Sequence, residues 1–374
     1  MTDPIHILPA LDPLPIPAPV ALFKFLHHLT LGLHFGALQL LLGGLVLATI
    51  WNIVGHASGS RSAIGASGTV AKKLTIVTTY VVNFGVPPLL FAQILYGQAL
   101  YTSSVLIGAW WIAVVFLILI AYALLYRMTT LADAGRPWWH WGVVSFTLLA
   151  LVGRVFSTNM TLMLTPEVWS TMYASNPSGT DLPPTDPTMW PRFAVMFLGA
   201  FSLGALGTSL WSHLSSVADD ARVFLRRWSA ISAIVFLPLL GAAGSWALDS
   251  QPESVRAALM GGTGATLAYA WVGSIALAFV AALALLATSR SRSALAPILG
   301  SVAGTTAIGL WTVLRDMVRD LTLAPKGLDV WATPVATNWV VVGIFLFSLV
   351  AGLVLLGWLV SVVARATPLE KNHV

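Results

Sequence analysis

The sequence lacks cysteine and has few charged residues. Its 374 residues include no cysteine, which excludes disulfides, thiolate metal sites, Fe–S ligation and covalent c-type haem attachment within this chain. Only 9% of residues are charged, whereas soluble globular chains have about 25%. With 57% hydrophobic residues and a mean hydropathy of +0.84, this deficit predicts an integral membrane protein built from helices.

Several motifs of soluble enzymes are also absent. The sequence has no HExxH, GxGxxG, Walker or nucleophile-elbow motif, so nothing supports a hydrolase or a nucleotide enzyme. The net charge of +5 is small and lies mostly in loops. It therefore indicates a membrane topology bias and not nucleic-acid binding.

Nine apolar runs are long enough to cross a hydrocarbon core of about 30 Å. They cover approximately residues 27–51, 74–97, 104–127, 139–160, 190–212, 227–248, 264–288, 293–313 and 338–363. No long linker separates them. The sequence therefore predicts an all-α, polytopic bundle of about nine transmembrane helices in one domain, residues 1–374. A pair of prolines, Pro87 and Pro88, predicts a kink in the second helix.

The charges of the loops predict the orientation of the bundle. Alternate connections are basic, with 314–337 as the exception, so the positive-inside rule places the N-terminus outside and the C-terminus in the cytoplasm of a bacterial inner membrane. Residues 1–26 then form a proline-rich outer segment. The outer loop 161–191 is expected to form a cap, and its proline- and turn-rich part, 166–191, is expected not to be helical.

The first apolar run carries three histidines, His27, His28 and His34. His27 and His34 are two helical turns apart and share one face, about 10 Å from each other. An intramembrane histidine such as His34 serves either as an axial haem ligand or as a hydrogen-bonding partner of a neighbouring helix. His28 is expected to be an interfacial residue.

Three arginines are further candidates. Arg154 lies deep in the fourth run, where a haem propionate or a carboxylate could pair with it, or it could snorkel outward. None of the nine runs contains a deep carboxylate. Arg315 and Arg319 are one turn apart, as are Asp316 and Asp320. These four residues form either a salt-bridged helix end at the outer surface or an arginine clamp for propionates or a periplasmic partner.

Several segments resemble subunit I of the cytochrome bd quinol oxidase superfamily, and more closely its divergent bd-like oxidoreductase relatives. The His34 helix resembles the family's first helix, whose histidine ligates a high-spin haem. The segments Asn83–Gly97, Asn159–Pro166 and DPTMWPRFAVM, residues 186–196, resemble further family stretches. The resemblance implies a nine-helix bundle with b-type haem.

The sequence departs from the family at functional positions. Ala194-Val195-Met196 stands where the family has its low-spin haem histidine. Met196 offers a thioether ligand there, whereas alanine or valine at the ligand position implies that this haem is absent. Gln93 replaces an expected glutamate, and the outer loop 249–263 is short for a quinol loop. These differences argue against a working quinol oxidase.

Two functional hypotheses follow from the resemblance. In the first, the chain is a membrane subunit of a respiratory complex. It binds haem b through His34, with His27 as a second candidate ligand, and exchanges electrons with a periplasmic cytochrome c or Fe–S subunit. In the second, the chain is a haem-free structural subunit that holds other membrane subunits through the 161–191 cap and Arg315/Arg319. A transporter ranks last, because matching broken helices are absent.

Overall fold

The computed structural model describes residues 15–214 and 217–365, and this part of the chain contains helices and no β-strand. The α-helices are α1 Val20–Ser58, α2 Arg61–Leu106, α3 Gly108–Asp133, α4 Trp139–Leu162, α5 Trp169–Ser175, α6 Met189–Gly199, α7 Ala205–Thr208, α8 Asp219–Asp249, α9 Glu253–Leu259, α10 Gly262–Ala287, α11 Leu295–Leu323 and α12 Trp339–Arg365. A π-helix, Ala200–Gly204, joins α6 to α7, and a 3₁₀-helix, Ser209–His213, follows α7.

Eight helical segments of the described chain are long and apolar enough to cross a membrane. They are α1, α2, α3, α4, the continuous segment Met189–His213, α8, α10 and α11. A ninth helix, α12, is apolar along Trp339–Leu355. Large apolar side chains such as Ile112, Phe116 and Leu119 are exposed, as expected of a lipid-facing surface. The all-helical, multi-pass fold class is confirmed, and the orientation of the termini stays a prediction.

Several predicted boundaries are corrected by the structure. Helix α1 begins at Val20, inside the segment 1–26, and α11 continues past residue 313 to Leu323. The expectation that 166–191 lacks helix is wrong for α5, which spans Trp169–Ser175. Residues 1–14 of the proline-rich segment lie outside the described residues.

A tight connection joins α1 to α2. Gly59 ends α1 in the left-handed conformation, with φ 68°, and its N–H donates to the carbonyl of Gly55. The next residue, Ser60, is the N-cap of α2, and its hydroxyl accepts a hydrogen bond from the N–H of Ala63. The two long helices therefore run antiparallel and bury Leu41 and Leu74 completely.

The backbone of α2 departs from helical geometry near its end. Tyr96 has φ −133° and ψ 25°, whereas Pro87 and Pro88 lie within the helix. The expected kink is therefore at Tyr96 and not at the prolines. Tyr96 is fully buried, and its side chain points into the ionic cluster described below.

The backbones of α1 and the π-helix approach each other closely because both carry glycine at the contact. A Cβ atom on Gly43 would lie 2.0 Å from the carbonyl oxygen of Ala200, and a Cβ on Gly204 would lie 2.1 Å from that of Gln39. Only glycine fits these positions. Small residues commonly permit such close helix contacts in membranes.

Segments from distant parts of the chain meet at one end of the bundle, which we call the cap end. Lys326 donates to the carbonyl of Leu164 at 2.6 Å and forms an ion pair with Glu167 at 2.8 Å. Ile16 forms an isolated parallel bridge with Val335. The cap end therefore lies beside the first turn of α1 and the last turns of α11.

The glycine contact gives a first prediction. Gly43→Ala should destabilise the protein by about 1–3 kcal/mol, because the added methyl group overlaps a backbone carbonyl that must shift. The matched control is Gly36→Ala on the same helix, where the methyl group would meet no described atom within 4 Å. Thermal unfolding in detergent should show a lower Tm for the first variant only, and equal Tm values would contradict the close contact.

Candidate functional site

A buried lysine lies in the first turn of α1. The side chain of Lys24 is 4% exposed, and its ammonium group lies 2.8 Å from Asp316 and 2.6 Å from Asp320. It also donates to the Tyr96 hydroxyl at 2.5 Å. A buried ammonium group is stable only when such partners compensate its lost hydration. The two carboxylates, both on α11, supply that compensation.

Asp316 is the centre of this group of charges. It is 3% exposed and accepts hydrogen bonds from Tyr96 at 2.8 Å and Arg319 at 3.1 Å, and its other oxygen lies 2.9 Å from Nε2 of His28. We define the ionic cluster as Asp316 and the six residues of α1, α2 and α11 around it: Lys24, His27, His28, Tyr96, Arg319 and Asp320. The cluster connects three helices at the cap end.

This arrangement corrects two expectations. Asp316 and Arg319, 3% and 4% exposed, do not lie at the outer surface but inside the bundle. Asp316 is also a buried carboxylate within the membrane-spanning helix α11, where none was expected. Both errors have the same cause, because the predicted helix ended at residue 313.

Hydrogen bonds engage both ring nitrogens of His27. Nδ1 lies 3.0 Å from the carbonyl oxygen of Pro88, and Nε2 lies 3.3 Å from a guanidinium nitrogen of Arg319. Because a guanidinium only donates, Nε2 must accept, and the ring proton is then on Nδ1 and is donated to Pro88. His27, 2% exposed, therefore acts as a connection between α1, α2 and α11.

His34 faces the same neighbouring helix but has different contacts. Its Nδ1 lies 2.9 Å from the carbonyl oxygen of Val81, so Nδ1 donates and Nε2 keeps its lone pair. Within the described residues, Nε2 forms no hydrogen bond. Gly85 allows the ring to approach α2, because a Cβ there would lie 3.0 Å from Cε1 of His34. His27 and His34 therefore both point towards α2, as their shared face predicts.

The other predicted site residues lie apart from the ionic cluster. Arg154 donates to Thr158 on its own helix, and its guanidinium lies 5.2 Å from the ring centroid of Trp190. Met196 is half-buried and packs against an apolar core cluster. Arg315 lies over the ring of Phe35 at 5.4 Å and lines a cavity. Of the six predicted site residues, only His27 and Arg319 belong to the ionic cluster, and Arg315 and Arg319 both line the cavity.

Sequence reasoning missed Lys24 and Tyr96. Lys24 was assigned to the segment before the first helix, although the apolar residues around it, VALFKFL, continue the helix. An intramembrane cation requires a carboxylate at the same depth, so recognising Lys24 would have pointed to Asp316. Tyr96 has no comparable signal, because tyrosine is common in membrane helices and its place depends on the kink.

Comparison with known proteins shows similarity at the level of the fold. No family model matches the sequence, and no curated protein matches it. Among solved structures, the bd oxidase from Geobacillus thermodenitrificans superposes with a TM-score of 0.70 and 13% sequence identity, covering 92% of this chain and 98% of the other. The chain has a bd oxidase-like fold. At this identity, the similarity establishes architecture and not activity.

The bd oxidase-like fold raises the question of whether these residues suit a haem. A haem-ligating histidine usually donates through one ring nitrogen to a carbonyl and ligates through the other. His34 meets this requirement. His27 does not, because Arg319 already occupies its lone pair, and Arg319 in turn is paired with Asp316. One imidazole therefore fits a haem ligand, whereas His27 and Arg319 are already engaged with each other and with Asp316.

The ionic cluster gives a second prediction. Lys24→Met should destabilise the protein by about 3–5 kcal/mol, because it leaves Asp316 buried without its ammonium partner. Adding Asp316→Asn should recover part of the loss. The control Lys72→Met breaks an exposed pair with Asp133 and should cost at most about 1 kcal/mol. Unfolding in detergent measures all three variants, and a Lys24→Met protein as stable as the control would contradict the role of the cluster.

Proposed function

We propose that this chain is a structural membrane subunit of a bacterial respiratory complex, which holds other subunits at its cap end and does not use haem in its own chemistry. The observation that carries this proposal is the ionic cluster. In this cluster Asp316 pairs with the buried cations Lys24 and Arg319, and Arg319 donates to the ring nitrogen with which His27 could otherwise ligate iron. These ion pairs join α1 to α11 inside the bundle.

The surface of the cap end supports a role in assembly. Tyr173 and Leu182, outside the long helices, are 60% and 52% exposed, and Trp331, which donates to Asp320, is 59% exposed. Aromatic residues are enriched at protein–protein interfaces, and charged residues are depleted there.

Purification of the tagged chain from its own membrane should therefore recover further subunits. Tyr173→Ser with Leu182→Ser should reduce that recovery, and a chain that purifies alone would contradict the proposal.

One observation favours a second candidate function. The Nε2 atom of His34 keeps an available lone pair, and Nδ1–H is oriented by Val81, which suits an axial haem ligand. In this alternative the chain binds haem b at His34 and exchanges electrons with a periplasmic cytochrome c or Fe–S subunit.

Haem content distinguishes the two functions. Under the leading proposal, the purified protein shows no Soret band and no pyridine haemochrome. Under the alternative, haem is present and His34→Ala removes at least one equivalent, whereas the control His140→Ala, which changes an exposed histidine, does not. Haem that is unchanged in His34→Ala would reject His34 as its ligand.

The orientation in the bacterial inner membrane can be tested directly, because the natural chain has no cysteine. Ser178 lies at the cap end and Ser291 at the opposite end, and both are exposed. With the N-terminus outside, a membrane-impermeant maleimide should label Ser178→Cys in spheroplasts and Ser291→Cys only after lysis. The reverse pattern would show that the predicted orientation is inverted.

A further inference from the structure

A cavity next to the ionic cluster lies between α6, α8, α10 and α11, and Arg319 of the cluster is part of its lining. Its volume is about 140 Å³, and its lining includes Arg192 and Arg315, the amide of Gln251 and the indoles of Trp271 and Trp311. The two indoles lie 5.3 Å apart.

The cavity has an excess of positive charge. In the described residues, neither Arg192 nor Arg315 forms an ion pair or a side-chain hydrogen bond, and the carboxylates of Asp186 and Asp316 act on them only at longer range. Arg319, the third arginine of the lining, is already paired with Asp316. Two guanidinium groups are therefore available for an oxyanion, which they can bind through several parallel N–H donors.

Gln251 adds a second, independent indication of a ligand. The residue is 8% exposed, and its Nε2 donates to the carbonyl of Ala247 at 2.8 Å. Its Oε1 atom is buried and has no hydrogen-bond partner in the described structure. A buried acceptor without a donor is costly. A ligand for this cavity should therefore carry an O–H or N–H donor as well as an anion.

The depth of the cavity indicates the origin of the ligand. Arg192 lies near the start of α6, and Gln251 lies just after the end of α8, so the polar side of the cavity is near the ends of the membrane-spanning helices. The opposite side is lined by Gly241, Ser245 and Val272, on α8 and α10. No described atom would contact a Cβ placed on Gly241 within 4 Å. A lipid phosphate bound near these helix ends would leave its acyl chains beside the helices.

The volume distinguishes a headgroup from a larger ligand. Pockets that enclose a drug-sized molecule have volumes of about 300–1,000 Å³. The cavity is smaller, and Trp271 fills the space opposite Gly244, where a Cβ would lie 2.3 Å from its ring. This space suits a headgroup whose tails stay outside, and it does not suit a whole macrocycle.

We propose that this cavity binds the headgroup of an anionic phospholipid of the phosphatidylglycerol class. The phosphate pairs with Arg192 and Arg315, and a glycerol hydroxyl of the headgroup donates to Oε1 of Gln251. This site is independent of the proposed structural function, because it shares no residue with the surface that would hold other subunits.

Delipidated protein, titrated with short-chain lipids and followed by native mass spectrometry, tests the proposal. Dioctanoyl phosphatidylglycerol should bind at least about tenfold more tightly than dioctanoyl phosphatidylcholine, because the choline ammonium adds positive charge beside the two guanidinium groups and has no O–H donor for Gln251. Arg192→Gln and Arg315→Gln should each remove about tenfold of that affinity. The control is Arg290→Gln, which changes an exposed arginine and should leave the affinity for phosphatidylglycerol unchanged.

Gln251 is tested with phosphatidylmethanol, which keeps the phosphate and lacks the hydroxyls. Wild type should prefer phosphatidylglycerol by about fivefold, and Gln251→Leu should lose the preference. Equal binding of phosphatidylglycerol and phosphatidylcholine by wild type, which requires no variant, would overturn the proposal. The proposal would also be overturned if inorganic phosphate competed for the site as well as the lipid does. It would be overturned too if the protein contained haem that Arg192→Gln and Arg315→Gln release.

Discussion

The ion pair between Lys24 and Asp316 is the constraint on which the cap end of this bundle depends. Two opposite charges in a membrane-spanning region are stable only together, and their 2.8 Å contact fixes α11 against the first turn of α1. Tyr96 joins the same carboxylate from the kinked end of α2. The register of three helices therefore follows from one buried charge pair. Apolar packing alone constrains the register of these helices less, because apolar side chains contact lipid about as favourably as they contact a neighbouring helix.

A second constraint acts further along α1 and has a different physical origin. Near Gly43 the helix contacts the π-helix backbone so closely that only glycine fits. Helix α1 is thus held by charge at one end and by backbone contact near its middle. His27 and His34 lie between these points and face α2, where carbonyl oxygens of Pro88 and Val81 fix their rings. The orientation of both imidazoles is a consequence of how the helix is held.

The sequence predicted the nine helices because a membrane-spanning segment must satisfy its backbone hydrogen bonds internally, and long apolar runs mark such segments. It predicted the shared face of His27 and His34 because helical periodicity is local. The partners of these residues depend on tertiary contacts and were not predictable in the same way. Lys24 was missed because the predicted first span begins at residue 27, whereas α1 begins at Val20. Asp316 and Arg319 were placed at the surface for the corresponding reason at the end of α11. In this protein, charged residues such as Lys24 and Asp316 lie buried inside the bundle as well as at the ends of its membrane-spanning helices.

The balance of those interior charges links the ionic cluster to the neighbouring cavity. Lys24, Arg192, Arg315 and Arg319 contribute four cations, whereas the cluster itself contains two carboxylates, Asp316 and Asp320. The carboxylates lie on the side of Lys24, so the positive excess is concentrated at Arg192 and Arg315. Within the ionic cluster, Asp316 pairs with both Lys24 and Arg319. Arg192 and Arg315 are left without a paired carboxylate, and an anionic lipid headgroup is the anion that we propose for them.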